Sequence, residues 1–269
     1  MRIVHRIVAS RSRVDLREVR ALGVEPGASD GPLLVFTVGE DEVRWPEVRA
    51  WIARTEAVDF VYTTFTDEEI AGASWLALAT DWHHGYPQPD DGSFGYREAT
   101  YDVSGYCDQC GTGLRQVAPF QMKAEPKWGR KGILQMNWVF DELFVKRDVY
   151  QQCFQPFGIA ARPVHGRRHT PLETVVQLVV DDYVDVCPDE TTSQACDQCD
   201  RVKYLPHTRG PFPAAASSPP VAMVRTAQWF GSGASAHNEI LVSQDVASAL
   251  SDRRVRGATL QPVATTHSA

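Results

Sequence analysis

Apolar positions change their period several times along the first eighty residues, and each change marks an element. Met1–Ala9 is apolar and β-branched and predicts a strand; Asp15–Leu22 predicts a short helix capped by Asp15; Leu33–Val38 is an apolar run suited to a buried strand. Pro46 opens a helix over Glu47–Glu56, in which Val48, Trp51 and Ile52 share a face, and Val58–Phe65 predicts another strand. Thr66 and Glu69 form a capping box, and the helical spacing after it takes in Ile70, Ala73 and Leu76–Leu78. This alternation predicts a small α/β layer over residues 1–80.

Asp81–Gly95 collects histidines, prolines, aspartates and glycines, so it predicts a loop and the boundary to a second domain over residues 81–264. There Tyr101–Tyr106, Ile133–Val139 and Thr174–Val180 are expected strands, Thr208–Pro220 an exposed Pro/Ala/Ser connection, and residues 265–269 a frayed tail. An internal repeat is visible in this domain. Asp141–Val149 aligns with Asn238–Val246, and after a helix-length stretch the copies close on Arg162-Pro163-Val164 and Gln261-Pro262-Val263. Each copy reads as strand, helix and returning strand, with Ser243 a good helix cap and Lys146 a poor one. The fold class expected for the whole is α+β.

Composition narrows the function classes. The chain has 269 residues, 43% hydrophobic and 23% charged, which is globular composition, and its net charge of −7 argues against coating nucleic acid by overall electrostatics. No uncharged apolar run reaches the ~18 residues of a membrane span, and no export signal is visible, so a soluble, cytoplasmic protein is expected. In that compartment thiols stay reduced, which makes the cysteines the most informative residues.

Four of the six cysteines form two pairs, Cys107-Asp108-Gln109-Cys110 and Cys196-Asp197-Gln198-Cys199. The two-residue spacing turns successive thiolates onto one cation, and two such knuckles complete a four-thiolate zinc site that is structural, because no coordination position remains for water. The 85 residues between Cys110 and Cys196 make the metal a staple between distant segments. Gly111 suits the left-handed backbone that follows a knuckle, while Asp200 stands in the same place of the second and tolerates it less readily. Cys187 is an alternative ligand, though a free thiol is the simpler reading, and Cys153 has no assigned role.

Other constellations are weaker. His83 and His84 with Asp81, Asp90 and Asp91 suggest either a catalytic metal or, with no ligand spacing, a solvated loop. Lys123, Lys127, Arg130 and Lys131 interleave with Phe120, Trp128 and Trp138, a composition that fits a partner surface as well as a solvated turn. His165, Arg167, Arg168 and His169 read as an exposed basic loop. Asp141-Glu142 invites an acid/base reading, but Asn238-Glu239 in the second copy favours a structural one. Nucleophile elbow, phosphate loop and dinucleotide fingerprint are absent from the sequence.

The two knuckles, the Leu143–Val164 unit between them and the Ile240–Val263 unit after them resemble the bacterial double-CXXCG motif proteins; the resemblance covers about the last three fifths of the chain. Asp200 departs from the pattern, as does the length of the segment before the first knuckle. The resemblance implies a cytoplasmic protein stapled by one zinc, some of whose relatives are toxin immunity proteins. The expected function is therefore non-enzymatic binding of a protein or peptide partner, with Lys123, Lys127, Trp128, Arg130 and Lys131 as candidate contacts and no catalytic residue. The alternative is an enzyme or accessory factor in peptide modification, with a cleft between His83/His84 and Lys123–Lys131; a nucleic-acid-binding zinc ribbon comes third.

Overall fold

The computed structural model describes residues 1–24, 31–188 and 191–265; all of the expected tail but Thr265 lies outside them. The chain divides into two compact units, Met1–Glu69 with Thr208–Pro211, and Ile70–His207 with Phe212–Ala269. Among the described residues no helix is long and apolar enough to cross a membrane.

In the first unit the expected elements form at their expected places: β1 (Arg2–Ser10), α1 (Leu16–Ala21), β2 (Leu33–Gly39), α2 (Trp45–Thr55) and β3 (Val58–Thr64), after which α3 (Asp67–Gly72) spans the division. Asp15 caps α1 by accepting the Arg17 amide, and Thr66 and Glu69 exchange both bonds of the capping box. The sheet is antiparallel throughout, in the order β2-β1-β3. One face packs Ile7, Leu34, Phe36 and Val38 on Val19 of α1 and Val48 and Trp51 of α2. Phe60 and Tyr62 of β3 remain more than 40% exposed.

The expectation for Leu76–Leu78 is corrected. The helix stops at Gly72, and Trp75–Thr80 is a strand, β4, that belongs to the second unit, hydrogen-bonded to neighbours on both edges. An apolar run buried on both faces carries neither a helical nor an alternating signature, so its period misleads. The division between units therefore falls at residue 69, not 80.

The second unit continues with α4 (Tyr96–Thr100), β5 (Tyr101–Asp102), β6 (Arg115–Gln116), β7 (Ile133–Met136), β8 (Val139–Lys146), α5 (Arg147–Cys153), β9 (Ala161–His165) and β10 (Pro171–Leu178). There follow β11 (Tyr183–Val184), β12 (Ser193–Ala195), β13 (Val202–Tyr204), β14 (Met223–Phe230), β15 (His237–Ser243), α6 (Gln244–Asp252) and β16 (Ala258–Pro262). The protein is thus mixed α+β and mostly strand. One sheet has the order β7-β8-β10-β9; the larger runs β12-β13-β14-β15-β4-β16, with β11 beside β14.

These two sheets correspond pair by pair. Val145 faces Val176 and Ile133 in the first; Val242 faces Leu76 and Met223 in the second. Pro163 faces Val176, and Pro262 faces Leu76. In each sheet a strand–helix–strand segment, β8-α5-β9 or β15-α6-β16, holds between its strands an antiparallel strand that lies outside the segment: β10, which follows β9 directly, or β4, from far earlier in the chain. Beyond that inner strand the backbone runs parallel to the first strand of the other sheet: His83 bridges Gln135, and Tyr183 pairs with Arg225.

Side chains alternate accordingly. Leu143, Val145, Val176, Leu178, Leu76, Leu78, Ile240 and Val242 share one core with Cys153 of α5 and Val246 and Leu250 of α6. Phe144 and Val175 point into a second core with Phe120, Met122 and Trp128, and Ala77 and Leu241 into a third with Phe212 and Phe230. Phe212 corrects the exposed-connection reading of Thr208–Pro220: it is 2% exposed, and its amide bonds the Pro262 carbonyl. Ser243 does not cap α6, and its buried hydroxyl has no partner among the described residues.

Candidate metal centre and neighbouring clefts

The β5–β6 ladder flanks the first knuckle and the β12–β13 hairpin flanks the second. The two turns are built alike. The Gly111 amide donates to the Cys107 carbonyl at 2.8 Å and the Asp200 amide to the Cys196 carbonyl at 2.9 Å, while the Cys107 and Cys196 amides donate to the carbonyls of Thr112 and Arg201. Both closing residues are left-handed, Gly111 at φ 83° and Asp200 at φ 58°, as their shared place in the motif requires.

The four sulfurs converge. Cys107 Sγ lies 3.7 Å from Cys196 Sγ, Cys110 Sγ lies 3.6 Å from Cys199 Sγ, and all four fall within 4.8 Å of one another. A disulfide needs a separation of about 2.05 Å, whereas sulfurs placed tetrahedrally about 2.3 Å from one ion stand about 3.8 Å apart. The donor set and spacing fit a metal ion. Cys107, Cys110 and Cys196 are buried and Cys199 is partly open.

Charge around the cluster favours thiolates. Lys203 is 4% exposed, and its ammonium donates to the carbonyls of Cys110, Ser235 and Gly233. Arg201 Nη1 bonds the Gly105 carbonyl at 2.7 Å and Thr112 Oγ1 at 3.2 Å; the Thr112 hydroxyl in turn lies 3.1 Å from Cys110 Sγ. Burial raises the Cys110 thiol, but the bonds from the Thr112 hydroxyl and amide, together with those from the Cys107 and Cys199 thiols, outweigh it and hold Cys110 below the usual thiol value. Cys107 moves the other way: a backbone bond lowers it, yet burial and the neighbouring thiols together push it up, since adjacent thiolates repel. A cation among them removes that conflict. Thr112, Arg201 and Lys203 were not singled out in the sequence, though two cations within four residues of the last knuckle cysteine are a readable sign of thiolate neutralisation.

The remaining cysteines stand outside the cluster. Cys153 is buried where α5 meets α6, its Sγ 3.5 Å from the Ala249 carbonyl, and burial raises its pKa. Cys187 is exposed.

A pair of substitutions tests the knuckle turns. A Cβ at Gly111 meets both the positive φ and the Ala234 carbonyl, so Gly111→Ala should destabilise by about 2–5 kcal/mol. Asp200→Gly should change stability by no more than about 1 kcal/mol. Urea unfolding of the two variants measures both, and equal losses would contradict the distinct roles given to these positions.

The other expected site residues separate into different places. His83 and His84 are not in a free loop: the His84 amide donates to the Gln135 carbonyl at 2.9 Å, the His84 ring lies 5.1 Å from Trp82, and the His83 ring 6.1 Å from Phe140. They do not gather with Asp81, Asp90 and Asp91 as ligands; Asp81 pairs with Lys131. Lys123 and Lys127 line a cleft of about 430 Å³ that also contains His84, Tyr86 and Asp90. Arg130 and Lys131 line a different cleft, of about 230 Å³, with Lys146, Arg253, Arg254 and Arg256. Trp128 is 8% exposed, its indole N–H bonded to Thr174, so it is core and not surface. Of the expected basic loop, Arg167–His169 form an exposed turn, whereas His165 is the last residue of β9, its amide bonded to the Phe120 carbonyl at 2.9 Å.

Glu142 has the structural role its repeat position suggested. It is 5% exposed, accepts from Arg225 at 2.8 Å and from Gln177 at 2.7 Å, and so ties β8 to both β14 and β10. Arg225 also bonds the carbonyls of Val180 and Asp141.

Fold and site together define a mixed α+β protein with a tetracysteine cluster able to hold one metal ion. The chain matches no protein-family model and no curated protein sequence.

Proposed function

We propose that this is a cytoplasmic, non-enzymatic protein in which one structural zinc ion, held by Cys107, Cys110, Cys196 and Cys199, fixes a surface that binds a protein or peptide partner. The observation that carries the reading is the convergence of two equivalently bonded knuckles within 4.8 Å. Four thiolates saturate zinc, which leaves it no water to activate, and its chemistry here is cross-linking. Lys203 and Arg201 offset the charge of the tetrathiolate. The register shared by β7-β8-β10-β9 and β14-β15-β4-β16 supports a duplicated unit, with each half lending its inner strand to the other and the zinc joining the two. Some of the double-CXXCG proteins that the sequence resembles are toxin immunity proteins, and a toxin is therefore one class of partner that this reading covers. Lys123, Lys127, Arg130 and Lys131 remain available as contacts.

One zinc per chain is expected from elemental analysis of protein purified without chelator, and less than half an equivalent would overturn the metal reading. A partner recovered by pull-down from the source cells supports the binding reading.

The cleft with His84, Lys123 and Lys127 favours a second reading, an enzyme or accessory factor in peptide modification. Replacing both His83 and His84 by alanine separates the two. A binding protein should stay folded and keep its partner; a folded variant that loses a catalytic activity assigns the cleft to chemistry.

A further inference from the structure

A third cavity, of about 210 Å³, opens beside the first knuckle in the larger unit, between the β7–β8 turn and the Gly231–Ala236 turn. Its walls include the rings of Phe94, Tyr96, Tyr106, Trp138, Phe140 and Trp229. Two features set it apart from ordinary core. Trp138 is 38% exposed and Phe140 41% exposed, although both are large apolar rings. Trp138 also takes φ 70°, a left-handed backbone that glycine or asparagine would adopt more readily, and its ring meets Phe94 edge-on at 4.7 Å and Tyr86 at a tilt at 4.5 Å. The turn holds a bulky ring at the mouth of the cavity where a small residue would cost less.

The charge inside is specific. Arg97 lines the cavity with its guanidinium carbon 4.5 Å from the Phe94 ring centre, 5.0 Å from Tyr106 and 5.9 Å from Tyr96. Those contacts hold the guanidinium among the rings, and they also occupy ring faces that would otherwise attract a cation. No carboxylate among the described residues pairs with Arg97, and its buried Nε has no acceptor. Asp141, the acidic residue on the wall, is turned to Arg225 at 3.7 Å. A guanidinium in an aromatic cleft with no carboxylate partner, its charge met only by the rings and the Tyr96 hydroxyl, takes a carboxylate in bidentate fashion, and a cavity of roughly 150 Å³ already admits one benzene ring.

We propose that this cavity recognises a carboxylate carried beside an aromatic or large apolar group on a partner protein segment, with Arg97 binding the carboxylate and Trp138 and Phe140 covering the apolar part. The proposal deepens the partner-binding reading and rests on it. It also explains why the knuckle sits here: Lys203 bonds the carbonyls of Cys110, Gly233 and Ser235, so the cluster and one wall of the cavity are held by the same ammonium.

The test uses the full, metal-loaded chain with 4-phenylbutyrate as probe and its uncharged amide as control, followed by NMR of the Trp138 and Trp229 indole N–H groups. Both indoles should shift with the carboxylate, and the amide should bind at least about tenfold more weakly, a difference of 1.4 kcal/mol. Arg97→Met should lose the preference for the carboxylate while retaining zinc and melting temperature; Phe140→Ala, at an exposed position, should weaken both probes if Arg97→Met does not fold. Equal binding of carboxylate and amide, unchanged binding in Arg97→Met, or no shift of either indole up to about 10 mM probe would overturn the cavity assignment. A pull-down that still recovers a partner in that case leaves the zinc-held binding protein intact, whereas probe binding without any partner leaves the cavity and removes the broader reading.

Discussion

Cys107→Ser is expected to abolish stoichiometric zinc binding and to loosen the larger unit, with a fall in melting temperature that a chelator reproduces in the wild type. The effect is large because a metal site absent from the unfolded chain returns its binding free energy as folding free energy, about 10–16 kcal/mol for structural zinc in small peptides. Here the ion would join β5–β6 to β12–β13 across 85 residues of intervening chain, so its loss frees both ladders and the turn at Gly231–Ala236. The thiols themselves cannot substitute for the ion: those that ionise repel, and Cys107 is already pushed upward by its neighbours. Calorimetric scans of wild type, chelated wild type and Cys107→Ser are the measurement. Coincident transitions in all three would show that the cluster contributes nothing to the fold.

Arg225→Met should destabilise the protein by about 3–5 kcal/mol, because it leaves Glu142 buried without its cation. For a unit of this size that is a fall of roughly 6–20 °C in melting temperature. Adding Glu142→Leu should recover most of the loss, since two apolar side chains in place of a buried pair leave no uncompensated charge. The pair also predicts a pH dependence. Burial raises Glu142 to about 7, against the lowering by Arg225 and Gln177, while Arg225 is itself held above its usual value by Glu142 and Asp141 despite burial. Between the ordinary glutamate value and about 7 the folded protein therefore binds a proton that the unfolded chain does not. Stability from this group is full below the ordinary value and is lost as pH rises through 7. Unfolding followed from pH 4.5 to 8 should show that slope in the wild type and a flatter profile in the double variant.

The metal site was the most legible part of the sequence because its signal is covalent: two cysteines two residues apart can turn onto one ion whatever surrounds them, and a second such pair completes the ligand count. The cations that surround it were less legible, since Arg201 and Lys203 become partners of the first knuckle only when the second is brought against it. The expected partner segment divided for a similar reason. Lys123 to Lys131 is contiguous in the chain, but Trp128 turns into the core against Thr174, which sends Lys123 and Lys127 to one cleft and Arg130 and Lys131 to another.

Local rules were enough for the elements of the first unit and for the correspondence between Leu143–Val164 and Ile240–Val263, because caps, turns and apolar periods act over a few residues. Asp15, Pro46 and the Thr66–Glu69 box each fix a helix start without help from distant chain. The fate of Trp75–Thr80 could not be decided that way. Its Leu-Ala-Leu-Ala run satisfies either a helix or a strand, and only β15 and β16, more than 150 residues later, supply the two edges that make it the inner strand of a sheet. The same holds for Glu142 and Arg225, and for the rings gathered around Arg97: sequence chose the residues, while tertiary packing chose their partners, because burial and charge pairing are set by contacts that sequence distance does not record.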